Sequence, residues 1–178
     1  MTLGDYIQRN GPYRKAPLFR SHCLQLIDAV EHLHMNSIVH RGISTTSVNI
    51  ELDETKPFIA ECSALRDIRE ASLTAIGLPQ LCEMCPTPED AFGIEADERM
   101  DLFLLCALFY EMLANRSPYP RDKRKLFAEL EKHGDFPIAS EHLKKAPLLK
   151  DYPVLKDFIF KGLRSDPDLR QPNIKELK

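Results

Sequence analysis

The stretch DLFLLCALFYEML, Asp101 to Leu113, sets the tightest limit on what this chain can become. Apolar side chains fall on nearly every side of a helix drawn through it, and Glu111 is the one charge after Asp101. A surface helix carries a single apolar stripe, whereas a helix apolar all round belongs in the middle of a domain. The uninterrupted run, Leu102 to Tyr110, is far short of the ~20 residues that span a bilayer. Other elements must therefore wrap this helix. A chain of 178 residues suits one domain that buries roughly two-thirds of its unfolded surface.

The wrapping elements are legible from periodicity. Phe19, Cys23, Leu26, Ile27, Val30 and Leu33 recur at three- and four-residue steps, which predicts an amphipathic helix over Leu18 to Met35. Pro17 stands where a first turn tolerates proline. Val48, Ile50 and Leu52 then alternate with polar residues, the pattern of a half-buried strand. After the polar DETK turn, PFIAEC returns as the second strand of a short hairpin. Ser63 to Ala96 lacks periodicity and reads as a long loop. Further helices are predicted over Lys123 to Lys132, with Leu126, Phe127 and Leu130 on one face, and over Val154 to Leu163, with Val154, Leu155, Phe158, Ile159 and Leu163 inward. Ile174 and Leu177 begin a last short one. The expectation is a mainly α fold with one β-hairpin.

Composition narrows the function. A formal charge of −3 leaves no basic footprint for nucleic acid. Asp5, Gln8 and Arg9 interrupt the apolar residues near Met1, so no secretory signal is read there and no membrane role is expected. Five cysteines, an odd count, fit a reduced, cytoplasmic setting.

The motifs fall into one order. LIDAVEHLHMNSIVHRGI resembles the protein kinase helix that runs into the HRD catalytic loop. IAECSALRDI resembles the segment that opens with the kinase DFG triplet, and TPED, Thr87 to Asp90, the motif that closes the activation segment. ERMDLFLLCALFYEML is similar to the central kinase C-lobe helix, and LRSDPDLRQPNIKEL to the end of that lobe. The opening MTLGDYIQRN is similar to the segment just after a kinase hinge. The resemblance covers almost the whole chain and implies a kinase-like C-lobe over residues 1–178, with the N-lobe absent: a lone lobe, or a fragment of a longer two-lobed domain.

Residue by residue, the reacting positions depart from the kinase pattern. The aspartate that takes the substrate proton is replaced by Gly42, the loop lysine by Ser44, and the metal-holding asparagine by Ser47. The DFG triplet reads Glu61, Cys62 and Ser63, of which Glu61 alone keeps a carboxylate. Neither a G-x-G-x-x-G loop nor a V-A-I-K lysine is found. What matches is the frame: His40 and Arg41 at the loop's scaffold positions, Asp101 as its brace, and Glu89 with Arg170 as the pair tying the activation segment to the lobe. The expectation is a pseudokinase, not an enzyme, with no cofactor and no metal. It acts by binding a protein, such as an active kinase or its substrate, as a scaffold or allosteric regulator. The alternative is nucleotide binding, or weak serine/threonine kinase activity, once an N-lobe is supplied.

Other signals have plainer readings. The C-x-x-C at Cys82 and Cys85 lacks the second pair of a zinc site and the βαβ context of a redox site. His32 and His34 are two apart on a helix and point to different faces. Ser72 and Thr74 lie where phosphorylation would face Arg41 in a kinase, and RDKRK, Arg121 to Lys125, is a basic knot suited to solvent or an acidic partner.

Overall fold

The computed structural model describes residues 1–51, 53, 56–69, 86–120, 122–135, 140–143 and 146–178. At its centre lies helix α4, Glu98–Ala114, in which every residue from Met100 to Tyr110 is buried. Asp97 caps its start, its Oδ1 accepting from the Arg99 amide at 2.8 Å, and Asn115 ends it in the left-handed region at φ 52°. The other elements surround it. Before α4 come α1 (Leu3–Asn10), α2 (Ala16–Met35), four short strands and α3 (Pro88–Phe92). After it come α5 (Lys123–His133), α6 (Ser140–Leu143), α7 (Pro147–Asp151), α8 (Val154–Gly162) and two 3-10 turns, Pro167–Leu169 and Ile174–Leu177. Helices α2, α6 and α8 pack directly on α4. The mainly helical expectation holds, and no described helix is long and apolar enough to cross a membrane.

The strands form two antiparallel pairs. β2 (Val48–Ile50) pairs with β3 (Pro57–Ile59), Asn49 facing Phe58, which is the expected hairpin in shorter form. Leu52 lies outside the described residues. The second pair, β1 (Ile38–Val39) with β4 (Arg66–Asp67), was not expected, because two residues are too few to show an alternation. Nor is the span from Ser63 to Ala96 loop throughout, since it holds β4 and α3. The missed signal for α3 is a capping box: Thr87 Oγ1 accepts from the Asp90 amide while the Asp90 carboxylate accepts from the Thr87 amide. The same device opens α1 at Thr2 and Asp5. Val154, expected inward on α8, is 75% exposed, because the helix turns its Ile159 side to α4 and leaves its first residue outside.

Where α8 crosses α4 the fit is close enough to dictate a residue. A Cβ on Gly162 would lie 2.2 Å from Cys106 Sγ and 3.0 Å from Cys106 Cβ. Alanine favours a helix over glycine by ~1 kcal/mol, but overpacking a filled core costs ~1–3 kcal/mol or more. Gly162→Ala should therefore lower stability in urea denaturation, and adding Cys106→Ala should recover most of the loss. A neutral or stabilising Gly162→Ala would mean that the helices part easily.

Candidate functional site

Asp101 stands in the first turn of α4 with its carboxylate fully buried. Its Oδ2 accepts from the His40 amide at 2.7 Å and its Oδ1 from the Arg41 amide at 2.7 Å. His34, on α2, meets Oδ2 through Nε2 at 2.9 Å. Because a carboxylate only accepts, Nε2 carries the hydrogen. The grip matters because Arg41 has φ 61°, a conformation that costs a non-glycine residue ~1–3 kcal/mol and persists only where neighbours enforce it. Arg41 Nε donates to the Ala64 carbonyl at 2.8 Å, tying this loop to the segment before β4. Burial, with Arg66 adding repulsion, lowers the Arg41 pKa from its ordinary value.

The loop from His40 to Ser47 is stapled by its own side chains. Gly42 N donates to His40 Nδ1 at 3.2 Å. Burial pushes the His40 pKa down, so the ring is held neutral as an acceptor. Ser44 and Ser47 close a reciprocal turn: Ser44 N donates to Ser47 Oγ at 2.8 Å, and Ser47 N to Ser44 Oγ at 3.2 Å. Their hydroxyls serve the backbone here, as serines in turns commonly do. The Ser47 carbonyl accepts from the Ala60 amide at 2.8 Å, so the same turn also anchors the end of β3. Gly42 answers no steric demand: a Cβ there would meet Ala64 Cβ at 3.4 Å and the His40 ring at 3.8 Å, ordinary contacts.

Glu61, Cys62 and Ser63 are all exposed beside this loop. The Ser63 amide donates to Glu61 Oε1 at 2.9 Å, and hydrogen bonds from Ser63 hold the Glu61 carboxyl below the usual carboxylate range. Along the same stretch of chain large apolar side chains are open to solvent: Phe58 is 47% exposed, Leu65 37% and Ile68 39%. Among the described residues no three His, Cys, Asp or Glu side chains gather as metal ligands would. His22, buried, meets the Tyr13 hydroxyl at 2.7 Å through Nδ1, while His32 is exposed and His34 buried.

Near the same N-terminal end of α4 the structure brings Glu89 and Arg170 together, both buried. Arg170 Nη1 donates to Glu89 Oε1 at 2.5 Å and Nη2 to Oε2 at 3.2 Å. The remaining guanidinium hydrogens reach the carbonyls of Arg164, Arg99 and Ser165, and the plane lies 4.8 Å over the Phe103 ring. Ser72, Thr74, Cys82, Cys85 and Arg121 lie outside the described residues. Sequence reasoning missed His34 as part of the loop's frame and noted only that it points to a different face from His32. The signal was present, since His34 follows Val30 by four and Ile27 by seven, on the apolar face.

No protein-family model matches the chain. Similar proteins are nonetheless found along nearly all of it. Serine/threonine-protein kinase PrkC of Bacillus subtilis is 24% identical over 182 residues, covering 100% of this chain and 26% of that protein. Serine/threonine-protein kinase ste20 of Emericella nidulans is 25% identical over 158 residues, covering 86% of this chain and 17% of that protein. Serine/threonine-protein kinase pakA of Talaromyces marneffei is 25% identical over 154 residues, covering 83% and 22%. The chain thus spans about a quarter or less of the length of these relatives. Their names overturn the expectation that the chain is not an enzyme, because they point to a kinase. Gly42, Ser44, Ser47 and the Glu61–Cys62–Ser63 triplet do not carry that conclusion. A side chain missing from one position does not fix what neighbouring segments or chains supply there.

Proposed function

The chain belongs to the protein kinase superfamily, with serine/threonine-protein kinases as its relatives, and we propose that it serves as a kinase-like C-lobe that binds a protein partner as a scaffold or allosteric regulator. The observation that carries this reading is the open apolar set Phe58, Leu65 and Ile68. It lies within one short segment that hydrogen bonds fasten to the loop Asp101 holds. Exposed apolar side chains on a segment fastened to a rigid loop are what a docking surface offers. The partner in this reading is an active kinase or its protein substrate. The proposed setting is cytoplasmic, where an exposed thiol such as Cys62 stays reduced. Ser72 and Thr74 are proposed phosphorylation sites that would turn their charge toward Arg41.

Capture from lysate by the folded chain, read by mass spectrometry, tests the reading. A kinase or its substrate should be recovered, and Phe58→Asp with Ile68→Asp should abolish the recovery while leaving the thermal melt unchanged. Recovery indifferent to those substitutions would sink it.

A second reading rests on the relatives' names and on Glu61, whose carboxyl is exposed and ionised at neutral pH. In it, residues 1–178 are one lobe of a longer two-lobed domain, and an N-lobe completes nucleotide binding and weak serine/threonine kinase activity. Joined to an N-lobe, the chain should then bind ATP in a magnesium-dependent way, and Glu61→Gln should weaken that binding at least about tenfold, the effect of losing one charge-assisted contact. ATP binding indifferent to magnesium and to Glu61 would exclude it.

A further inference from the structure

Two surface clusters of opposite charge are left without enough counterions. The first opens α5, where Lys123, Arg124 and Lys125 make up the first turn and no acidic residue lies within it. Cations are favoured at the C-terminal end of a helix, because the N-terminal end already carries positive charge. The order along α5 therefore works against its own dipole. Arg124 and Lys125 are exposed, and neither has an ion-pair partner among the described residues. Asp122, the N-cap, is turned to the backbone, its Oδ1 accepting from the amides of Arg124 and Lys125 at 3.0 and 3.2 Å.

The second cluster is the 3-10 turn Pro167–Leu169 with its cap, Asp166. Asp166 and Asp168 are exposed, and Asp97 is joined to them through Arg99, which pairs with both Asp97 and Asp168. One guanidinium thus stands against three carboxylates. The neighbouring cations in sequence are engaged elsewhere, Arg164 with Asp135 at 3.4 Å and Arg170 with the buried Glu89. Leu169, 50% exposed, adds apolar surface to the turn.

The two clusters cannot meet within one molecule. The C-terminal end of α5 is fastened beside the acidic turn, since the Ser165 amide donates to Asp135 Oδ1 at 2.9 Å. The basic end lies a helix length away, 11 residues or about 16 Å, beyond the reach of a salt bridge. Two copies related by a two-fold axis satisfy both clusters. Laid antiparallel along α5, the start of each helix reaches the acidic turn of the other, and such a contact closes on itself. We propose that the chain pairs with a second copy in this way, Arg124 and Lys125 of each against Asp166 and Asp168 of the other. Complementary charge sets the register, and Leu169 supplies apolar area at each contact. Phe58, Leu65 and Ile68 take no part, so the pairing stands independently of the docking reading above.

Sedimentation equilibrium of the purified 178-residue chain tests this. A monomer–dimer equilibrium is expected, and it should weaken at least about tenfold when salt rises from about 0.05 to about 0.5 M, because screening shortens the range of surface charges. Arg124→Glu should weaken the dimer at least about tenfold, one surface ion pair lost twice per dimer, and Asp168→Lys should do the same. The double variant should recover most of the loss, since opposite charges face each other again. The altered side chains are exposed, so thermal melts should not move. If Asp168→Lys disturbs Arg99 and fails to fold, Arg124→Glu with Lys125→Glu carries the test, losing the dimer with the melt preserved. The proposal is overturned by a monomer at every concentration up to the solubility limit, by a dimer indifferent to salt, or by a double variant no better than its parts. A dimer that survives Arg124→Glu with Lys125→Glu overturns it too, as do open-ended oligomers, which a closed two-fold contact forbids.

Discussion

Arg170→Ala is expected to cost about 3–5 kcal/mol of folding stability, the range for removing one partner of a buried ion pair. Both partners are almost wholly out of solvent, with side-chain exposures of 0% for Arg170 and 3% for Glu89. Arginine has five N–H donors, and each of them is satisfied here, two by Glu89 and three by the carbonyls of Arg164, Arg99 and Ser165. Truncation removes all five bonds at once, leaves the Glu89 carboxylate buried without its countercharge, and empties the space over the Phe103 ring. Because domains of this size have only ~5–15 kcal/mol in hand, the loss should show as a large fall in the urea midpoint. Lysine should not rescue it, since a single ammonium cannot reproduce the planar fork. Glu89→Gln should cost less than Arg170→Ala yet more than an exposed pair would, and the double variant Glu89→Met/Arg170→Met less than the sum of its parts. A loss under about 1 kcal/mol for Arg170→Ala, the scale of a surface ion pair, would mean that water reaches the pair and that it does not clamp α3 to the lobe.

Much of this architecture could be read before any coordinates. The central helix announced itself because its apolar residues leave no polar face, and α2 because its stripe runs for five turns. The hairpin was visible because Val48 and Ile50 alternate, and α5 because Leu126 and Leu130 are spaced for one face. What escaped shares a physical trait: it depends on partners distant in sequence or on very few residues. β1 and β4 are two residues each and exist only because Ile38 meets Asp67 and Val39 meets Arg66, far along the chain. Helix α3 was hidden by reading TPED for its resemblance and overlooking its capping hydrogen bonds. In the candidate site, the residue types were legible and their use was not. Ser44 and Ser47 look like poor substitutes for charged groups, yet in three dimensions they staple a turn. The step from those residues to absence of enzyme activity was overturned by the relatives, since it argued from what single positions lack. His34 shows the reverse case: its place on the apolar face was available from spacing, but nothing local reveals a carboxylate 67 residues away.

The Asp101 carboxylate is the second place where one side chain holds a large share of the structure, and here its loss should be local as well as global. Asp101→Asn keeps the shape and one acceptor but turns the other oxygen into an NH₂ group, a donor set against a donor. Either the His40 amide or the Arg41 amide, both now at 2.7 Å from a carboxylate oxygen, must lose its partner. A hydrogen bond to a charged group contributes ~1.5–3 kcal/mol, and an orphaned buried donor costs ~1–3 kcal/mol. Asp101→Asn should therefore destabilise by about 2–3 kcal/mol, and Asp101→Ala, which also orphans His34 Nε2, by more. The distinguishing measurement is amide hydrogen exchange. If Asp101 holds Arg41 at φ 61°, the amides of His40 and Arg41 should lose protection well beyond the global change, while Leu104 and Leu105 in the same helix follow the global change alone. Uniform loss across α4 would make Asp101 a core residue with no special hold on the loop. Protection unchanged at His40 and Arg41 would mean that the Ala64 carbonyl and the His40 ring suffice to keep the loop in place. Both the protein-docking reading and the nucleotide-binding reading need that loop in one shape, so Asp101→Asn should weaken whichever partner the lobe engages, by tilting the surface that Glu61, Leu65 and Ile68 present.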